Sequence, residues 1–456
     1  MTLEFQDTAA DPVVIIGAGP IGLAAAAHCA RRGVSFLVLE AGDSVATSVR
    51  AWGHVQLFTP WRYNIDKEAA ALLEETDWTV PSPSEACPTG AELIEAYLDP
   101  LARHPRIAPH LHLEHRVRAI ARDERGKLED DRNDELFIVV ADTPTGERIF
   151  HADAVIDASG TWTQPNPMGG NGLRVEGEAR YADHVRYGIP DVLGSERSRY
   201  LGKRTLVVGS GHSALNALEA LATLRGEDSS TKVLWALRGD GWSESSCDDQ
   251  ILTERNLLRR EIRALIASDE IESYTGVRIA RIEAHDDGLV ATTRAGQLPA
   301  VDEFIVTTGF RPDLSLEREL RLDVHPIFES TFALADLIDP SSAACGTVTP
   351  HGVRHLAHPE PDFFIVGMKS YGRAPTFLLL TGYEQVRSVV CAICGDEAAL
   401  EVQMELPDRG LCSACTAFRD EQEARRSELD DCACDPDDES TSHAPCCDDT
   451  EIPLSA

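Results

Sequence analysis

Residues 13–22 read Val13-Val14-Ile15-Ile16-Gly17-Ala18-Gly19-Pro20-Ile21-Gly22, a short apolar run followed by three spaced glycines. The apolar run predicts a buried strand, and the alanine-rich stretch after the glycines predicts a helix that ends at Gly33. A second apolar run, Phe36–Leu39, comes next, and Glu40 closes it. Strand, glycine turn, helix and strand within about 30 residues indicate the first unit of a doubly wound α/β fold.

Each part of this turn suits the pyrophosphate of a dinucleotide. The first glycine allows a tight turn, the second lets backbone N–H groups approach the phosphates, and the third lets helix and strand pack closely. The acid that ends the second strand can accept hydrogen bonds from ribose hydroxyls. We therefore predict a cofactor site that contains Gly17, Gly19, Pro20, Gly22 and Glu40.

A second turn of the same kind follows the apolar run Thr205–Val208. It carries Gly209 and Gly211, with Ala214 at the third position, which this type of turn permits. Where an acid would usually close the next strand, the sequence has Arg238. A guanidinium group there suits a 2′-phosphate and favours NADPH over NADH. The alternative is a surface arginine without a ligand.

Two such turns in one chain resemble the two-dinucleotide-binding-domain flavoproteins, the group of flavin-containing monooxygenases and pyridine nucleotide–disulfide oxidoreductases. The resemblance covers about residues 11–395 and rests also on Asp157-Ala158-Ser159-Gly160 and Thr307-Thr308-Gly309-Phe310-Arg311-Pro312. It implies that the first turn binds FAD and the second binds NAD(P)H. It also implies that Gly160 and Gly309 mark the crossings between the two domains, at cofactor-binding positions.

The resemblance predicts two interleaved Rossmann-like α/β domains, with the NADPH domain inserted into the FAD domain. The expected boundaries are 1–163 for the first part of the FAD domain, 164–300 for the NADPH domain and 301–395 for the second part of the FAD domain. Residues 396–456 are acidic and cysteine-rich. Few large apolar side chains follow Phe418, and we expect about 420–456 to be largely disordered unless something binds it.

The positions of the cysteines help to decide between the disulfide reductase and monooxygenase branches of this group. A disulfide reductase needs a redox thiol pair against the flavin, yet residues 41–61 contain no cysteine and the NADPH domain contains only Cys247. Direct disulfide reduction is therefore disfavoured. The segment after Ala158 resembles a monooxygenase-type linker, which makes His184 a candidate on the substrate side, although Arg180 stands where that pattern has glycine. The alternative for His184 is an ordinary loop histidine.

Three further stretches are similar to the ArsO-type flavoproteins encoded beside arsenic resistance genes: Leu57–Asp66, Tyr187–Leu193 and Val366–Thr376. This resemblance implies that Gly367 and Met368 lie by the flavin ring and that Tyr371 and Arg373 face the substrate. Packing in the core is the alternative for Tyr371. Two residues after the FAD strand are candidates to cover the flavin, with ordinary core and surface positions as the alternative: Arg50 and Trp52.

Eight of the twelve cysteines lie between Cys391 and Cys447. Two C-x-x-C pairs, separated by a spacing compatible with a tetrathiolate zinc site, are followed by a vicinal pair. Zinc binding, capture of a soft metal or metalloid ion, and unrelated cysteines all remain open. The candidate ligands are Cys391, Cys394, Cys412, Cys415, Cys446 and Cys447.

The net charge of −34 argues against nucleic acid or an anionic membrane as a partner. No apolar stretch is long enough to span a membrane, and the first residues lack a secretory signal, which together predict a cytoplasmic protein. The sequence therefore predicts an FAD-dependent, NADPH-oxidising monooxygenase for a small soft nucleophile, with a trivalent arsenical as one substrate and a homodimer as one assembly. Two alternatives remain, a thiol or metalloid reductase that works through the C-terminal cysteines and a non-enzymatic metallothiol protein.

Overall fold

The computed structural model describes residues 11–240, 253–339, 348, 350–374 and 377–404, so most of the predicted tail lies outside the described residues. The strands, in chain order, are β1 (Val13–Ile16), β2 (Phe36–Leu39), β3 (Leu111–His112), β4 (Arg116–Arg122), β5 (Phe137–Thr143), β6 (Gly146–Ala152), β7 (Ala154–Asp157), β8 (Val185–Tyr187), β9 (Arg204–Val208), β10 (Lys232–Ala236), β11 (Ile271–Tyr274), β12 (Ile279–His285), β13 (Gly288–Thr293), β14 (Gly296–Gln297), β15 (Glu303–Val306) and β16 (Phe363–Ile365). The helices are α1 (Pro20–Arg32), α2 (Thr47–Ala51), α3 (Trp61–Asn64), α4 (Lys67–Leu73), α5 (Gly90–Leu93), α6 (Asp99–Ala102), α7 (Arg197–Tyr200), α8 (His212–Glu227), α9 (Thr253–Ala267), α10 (Phe332–Ile338), α11 (Val353–Leu356) and α12 (Leu379–Ile393).

The first sheet is parallel, in the order β16-β7-β1-β2-β3. Successive side chains of a strand point to opposite faces, so Val13 and Ile15 enter one hydrophobic core while Val14 and Ile16 enter another. The core on one face includes side chains of α1 and α12, and the core on the other includes those of the antiparallel sheet β4-β5-β6. Because both faces of the first sheet are packed against a hydrophobic core, β1 is apolar throughout. The predicted α/β fold class is confirmed.

Small residues bring α1 and α12 close together on this sheet. The four alanines from Ala24 to Ala27 are fully buried, and a Cβ at Gly382 of α12 would lie 2.5 Å from the Cδ1 atom of Ile21. The helix ends as predicted at Gly33, which is left-handed with φ of 70° and donates its N–H group to Ala30 O. None of the described helices combines the length and apolarity that crossing a lipid bilayer requires.

The second sheet is also parallel, in the order β11-β10-β9-β15-β8. The core on one face includes side chains of α8 and α9, and the core on the other includes those of the small antiparallel sheet β12-β13-β14. The boundary predicted at residue 301 needs a correction. Because β15 pairs with both β9 and β8, it belongs to the second sheet, and the chain returns to the first domain only after Val306.

Both sheets have a topological switch point. In the first sheet β2 and β7 flank β1 on opposite sides, and in the second sheet β10 and β15 flank β9 in the same way. Ligands of open parallel sheets bind at the carboxyl ends of the strands at such points. The two crossings between the sheets lie together, because Pro165 pairs with Phe310 and the rings of Trp162 and Phe310 stack with centroids 4.8 Å apart. The fold thus predicts one ligand crevice at the switch point of each sheet. The two segments that connect the sheets lie next to each other.

Candidate active site

The first glycine turn lies directly on the crossing that follows β7. Gly17 has φ of +94°, and a Cβ there would lie 2.9 Å from Ala158 O. A Cβ at Gly22 would overlap Gly17 O, so the turn and the start of α1 pack without room for a side chain. Both glycines are therefore required by close approach of the backbone, as the sequence predicts.

The start of α1 is open and has no side-chain cap. Gly19 is the N-cap residue, no side chain accepts a hydrogen bond from the first turn, and a Cβ at Gly19 would meet no atom within 4 Å. The first N–H groups of a helix have no partner within the helix and attract anions. This open helix start at the switch point fits the pyrophosphate of FAD.

Glu40 lies beside the same turn. Its Oε2 atom accepts a hydrogen bond of 2.7 Å from Ala18 N, and its Oε1 atom accepts one of 2.8 Å from Gly42 N. These bonds orient the carboxylate at the end of β2, where each oxygen retains a further lone pair. The geometry fits the predicted contact with ribose hydroxyls.

Three more predicted positions lie at the same edge of the first sheet. Gly160 follows β7 and Gly367 follows β16, with φ of 72° and 71°, and Met368 is half-buried beside them. Gln385 of α12 holds this edge, because its Oε1 atom accepts a hydrogen bond of 2.8 Å from Gly367 N. The structure therefore brings these three residues together with the first turn.

Arg50 and Trp52 secure the segment around α2. Arg50 donates hydrogen bonds to Val45 O at 3.0 Å and to Asp99 Oδ1 at 2.6 Å. The ring of Trp52 packs on Gly90, where a Cβ would lie 2.8 Å from its Cζ3 atom. These contacts give both side chains a structural role, and contact with a flavin stays a prediction.

The second turn repeats the geometry of the first. Gly209 has φ of +135°, and a Cβ there would lie 2.5 Å from Thr307 O on the crossing after β15. Gly211 is the N-cap of α8, has no side-chain cap, and would carry a Cβ with no atom within 4 Å. Ala214 is fully buried at the third position. An open helix start at a switch point again fits a pyrophosphate.

Arg238 has a companion that the sequence did not reveal. A Cβ on Gly170 would lie 3.6 Å from the Cδ atom of Arg238 and 3.5 Å from the Nη1 atom of Arg278. Both arginines are exposed, and neither forms an ion pair within the part of the chain that the structure describes. They are distant in sequence, and both approach Gly170, which lies in the linker between the domains.

Two of the three substrate-side candidates need correction. Tyr371 is fully buried in the core of the first domain, with its ring against Phe377 and His351, so it does not face a cleft. His184 precedes β8, and its Nδ1 atom lies 3.0 Å from Asp302 O, at the amino ends of the strands rather than the carboxyl ends where cofactors bind. Arg373 is exposed and pairs with Glu329 at 2.8 Å, and its contact with a substrate stays a prediction.

The cysteines Cys391 and Cys394 lie at the far end of α1 from the glycine turn. Arg32, at the end of α1, donates a hydrogen bond of 2.9 Å to Cys391 Sγ. At 1.5 Å per residue, the axis from Pro20 to Arg32 is about 18 Å long. Burial raises the pKa of both thiols above the ordinary value.

No group of three or more metal-ligating side chains is arranged for a metal ion among the described residues. The zinc and metalloid hypotheses therefore depend on four cysteines that lie outside the described residues: Cys412, Cys415, Cys446 and Cys447.

A buried ion triad supports the edge of the first sheet and was missed by sequence reasoning. Lys369 Nζ lies 2.5 Å from Asp157 Oδ2 and 2.7 Å from Glu317 Oε1, and all three side chains are fully buried. Burial and the neighbouring Asp157 raise the pKa of Glu317 to about 9, while Lys369 holds the pKa of Asp157 below its ordinary value. The two pKa values shift in opposite directions because two neighbouring carboxyl groups share one cation.

The triad connects three segments that meet at the cofactor edge. Asp157 ends β7, Lys369 follows β16, and Glu317 lies after the second crossing. Asp157 Oδ1 also accepts a hydrogen bond of 2.8 Å from Ser159 N, beside the first glycine turn. The one sign of this triad in the sequence is that a charged residue, Lys369, lies within the buried run that follows Phe363.

The two domains share a cleft. The ring of Phe58 lies 5.3 Å from that of His212, the first residue of α8. Phe58 also lines a cavity of about 690 Å³, together with His54, Val55 and Gln56 of the first domain and side chains of α8 and α9. The start of α8, which follows the second glycine turn, therefore contacts a segment of the first domain.

Two open glycine turns, each at the switch point of its own parallel sheet, define a flavoprotein oxidoreductase with two dinucleotide-binding domains. The chain belongs to the pyridine nucleotide-disulphide oxidoreductase family, whose model matches residues 14–326. This protein is therefore a flavin-dependent oxidoreductase that uses FAD and a pyridine nucleotide. No curated protein matches the chain in sequence.

Solved structures of both branches share the fold. The bacillithiol disulfide reductase Bdr of Bacillus cereus is 19% identical with a TM-score of 0.64, over 85% of this chain and 99% of that one. A mutant flavin monooxygenase of Stenotrophomonas maltophilia is 21% identical with a TM-score of 0.55, over 85% and 99%. The cadaverine monooxygenase DfoA of Erwinia amylovora, bound to FAD, is 13% identical with a TM-score of 0.62, over 89% and 99%. At these identities the similarity establishes the fold alone.

Proposed function

We propose that this flavoenzyme is an NADPH-oxidising monooxygenase for a small soft nucleophile, with trivalent arsenicals as the first substrate class to test. FAD, when bound, supplies hydride acceptance and oxygen activation. The chain contributes two helix starts for the phosphates, a carboxylate for the ribose, and a contact between Phe58 and the start of α8 that brings the two domains together. This division of labour needs no side-chain nucleophile.

The position of the thiols is the observation that favours oxygenation over thiol-relayed reduction. The described C-x-x-C pair, Cys391 and Cys394, lies one length of α1, about 18 Å, from the first glycine turn. Raised pKa values keep both thiols protonated at neutral pH, which slows exchange with a disulfide. Residues 41–61, which follow the FAD strand, contain no cysteine.

Oxygenation makes a definite prediction of stoichiometry. NADPH, a proton, O₂ and the substrate give NADP⁺, water and the substrate with one added oxygen atom. With methylarsenite, we expect substrate-dependent consumption of one O₂ per NADPH. The pentavalent product should carry one atom of oxygen-18 from labelled O₂, measured by mass spectrometry alongside an oxygen electrode.

The reductase alternative makes the opposite prediction. If electrons passed through the C-terminal cysteines, NADPH turnover would continue without oxygen, and it would stop when Cys391, Cys394, Cys446 and Cys447 are replaced by serine in the full chain. Anaerobic turnover that depends on these cysteines would refute the monooxygenase proposal. A colourless protein that binds zinc or arsenite but does not oxidise NADPH would support the metallothiol alternative.

The choice of NADPH is proposed from Arg238 and Arg278. Two guanidinium groups beside Gly170, neither of them in an ion pair with the described residues, can hold a 2′-phosphate, and each charge-assisted contact is worth about 1.5–3 kcal/mol. We expect Arg238→Ala or Arg278→Ala to raise the KM for NADPH roughly tenfold or more, with little change in the KM for NADH. Steady-state kinetics with both nucleotides checks this.

The matched control is Arg294→Ala. Arg294 is equally exposed and forms no ion pair with the described residues, so its removal should leave both KM values unchanged. Equal losses with NADPH and NADH in the Arg238 variant would show that the arginine has no role in nucleotide choice.

A further inference from the structure

Gln385 on α12 forms hydrogen bonds with three groups at the carboxyl edge of the first sheet. Its Oε1 atom accepts a hydrogen bond of 2.8 Å from Gly367 N, and its Nε2 atom lies 2.9 Å from Ser370 Oγ and 2.8 Å from His351 Nε2. Ser370 Oγ in turn donates a hydrogen bond of 2.7 Å to Gly367 O. The side chains of Gln385, His351 and Ser370 are buried. This network therefore holds both backbone polar groups of Gly367.

The direction of each hydrogen bond in the network is fixed by its chemistry. A backbone N–H group can only donate, so the amide oxygen of Gln385 faces Gly367 and its NH₂ group faces the other two side chains. One N–H group of this amide goes to Ser370 Oγ, which passes its own proton to Gly367 O. His351 Nε2 accepts from the other, so the proton of the neutral imidazole lies on Nδ1. The acceptor on His351 thus stabilises the amide orientation that Gly367 requires.

Gly367 lies on the side of β1 where the flavin half of FAD is expected. The pyrophosphate is expected at the start of α1, and Glu40 at the end of β2 fits the ribose of the adenosine half. Because β2 and β7 flank β1 on opposite sides, we expect the flavin half over the ends of β7 and β16. Gly367 follows β16, and a Cβ there would lie 3.1 Å from the Cγ1 atom of Ile21, next to the first glycine turn. The backbone that Gln385 holds therefore borders the space for the flavin.

We propose that Gln385 and His351 are positioning residues for the flavin of FAD. Gln385 fixes the backbone of Gly367, and His351 fixes the amide of Gln385, so both act through Gly367 rather than by contact with the cofactor. A buried polar network with all its hydrogen bonds made favours one arrangement of the turn. A turn that is ordered before the cofactor binds costs less entropy on binding. The inference rests on the binding of FAD and does not depend on the oxygenation proposed above.

The test compares FAD with ADP, which has the adenosine and the two phosphates but lacks the flavin. The FAD-loaded full chain is dialysed against a series of FAD concentrations, and then against ADP at fixed FAD, so that ADP is measured only as a competitor for the FAD site. Gln385→Met keeps the length of the side chain and removes its acceptor and its donors. We expect FAD to bind about tenfold more weakly or worse, with the inhibition constant of ADP unchanged within about twofold.

His351 offers a loss and a rescue at one position. His351→Phe keeps a flat ring but removes the acceptor for Gln385 Nε2, so FAD should bind roughly tenfold more weakly while competition by ADP stays the same. His351→Gln can place an amide oxygen near the position of Nε2 and should bind FAD as the native protein does. A role in packing alone predicts the opposite order, because phenylalanine is the closer match in shape.

A control variant and the contrary outcomes complete the test. Gln297→Met makes the same chemical change on the exposed strand β14 and should alter neither constant. Equal weakening of FAD and ADP by Gln385→Met would show that the network supports the whole site rather than the flavin, and unchanged FAD binding would show that it has no positioning role. Either result overturns the inference. If Gln385→Met does not fold, the His351 pair decides, and the same FAD affinity in both of its variants would overturn the inference.

Discussion

Lys369→Met lowers the free energy of unfolding by about 3–5 kcal/mol, the cost of leaving a buried carboxylate without its cation. Lys369 is fully buried and lies within 2.7 Å of both Asp157 and Glu317. Methionine keeps the length of the side chain and removes the charge, so the change isolates the electrostatic part of the interaction. The midpoint of thermal unfolding of the FAD-loaded protein measures it, and we expect a shift of several degrees or more.

A control and a rescue accompany this variant. Lys67→Met changes an exposed lysine that forms no ion pair with the described residues, and it should leave the midpoint unchanged. Adding Asp157→Asn to Lys369→Met removes the uncompensated charge and should recover part of the loss. A Lys369→Met protein as stable as the native one would show that the triad does not stabilise the fold.

Gly19→Ala weakens FAD binding by roughly ten- to hundredfold without unfolding the protein. The new methyl group meets no protein atom within 4 Å, so the apoprotein should keep its thermal midpoint. It does enter the space in front of the start of α1, where the pyrophosphate is expected. Overpacking by about one methyl group costs about 1–3 kcal/mol, and each 1.4 kcal/mol is tenfold in affinity. Flavin absorbance after dialysis against a series of FAD concentrations gives the change.

Two companion variants make this result specific. Gly211→Ala is expected to spare FAD and to weaken NADPH binding, because it makes the same change at the start of α8. Gly226→Ala, near the end of α8, also adds a methyl group in open space and should affect neither cofactor. Full retention of FAD by the Gly19 variant would mean that the cofactor phosphates lie elsewhere.

The local pattern of the chain was sufficient to predict the positions of the main elements. The strand Phe36–Leu39 has the predicted bounds, and the strand predicted from the apolar run Thr205–Val208 starts one residue earlier in the structure. These elements are short buried strands beside glycine turns, where burial on both faces and the turn geometry act on neighbouring residues. The boundary at residue 301 was wrong because the partner of β15 is β9, about 100 residues earlier, and strand pairing at that distance leaves no local signal.

The sequence by itself determined the two dinucleotide turns, because a buried strand, a glycine turn and a helix follow one another within about 30 neighbouring residues. Only the tertiary structure decided which distant side chains meet: the triad around Lys369, the approach of Arg278 to Arg238 at Gly170, and the packing that buries Tyr371. These features depend on long-range packing, which brings together residues that are separated by many turns of chain. Charge and burial then shift the pKa values of the titratable side chains among them, and these shifts cannot be predicted from the composition of the sequence or the spacing of its residues.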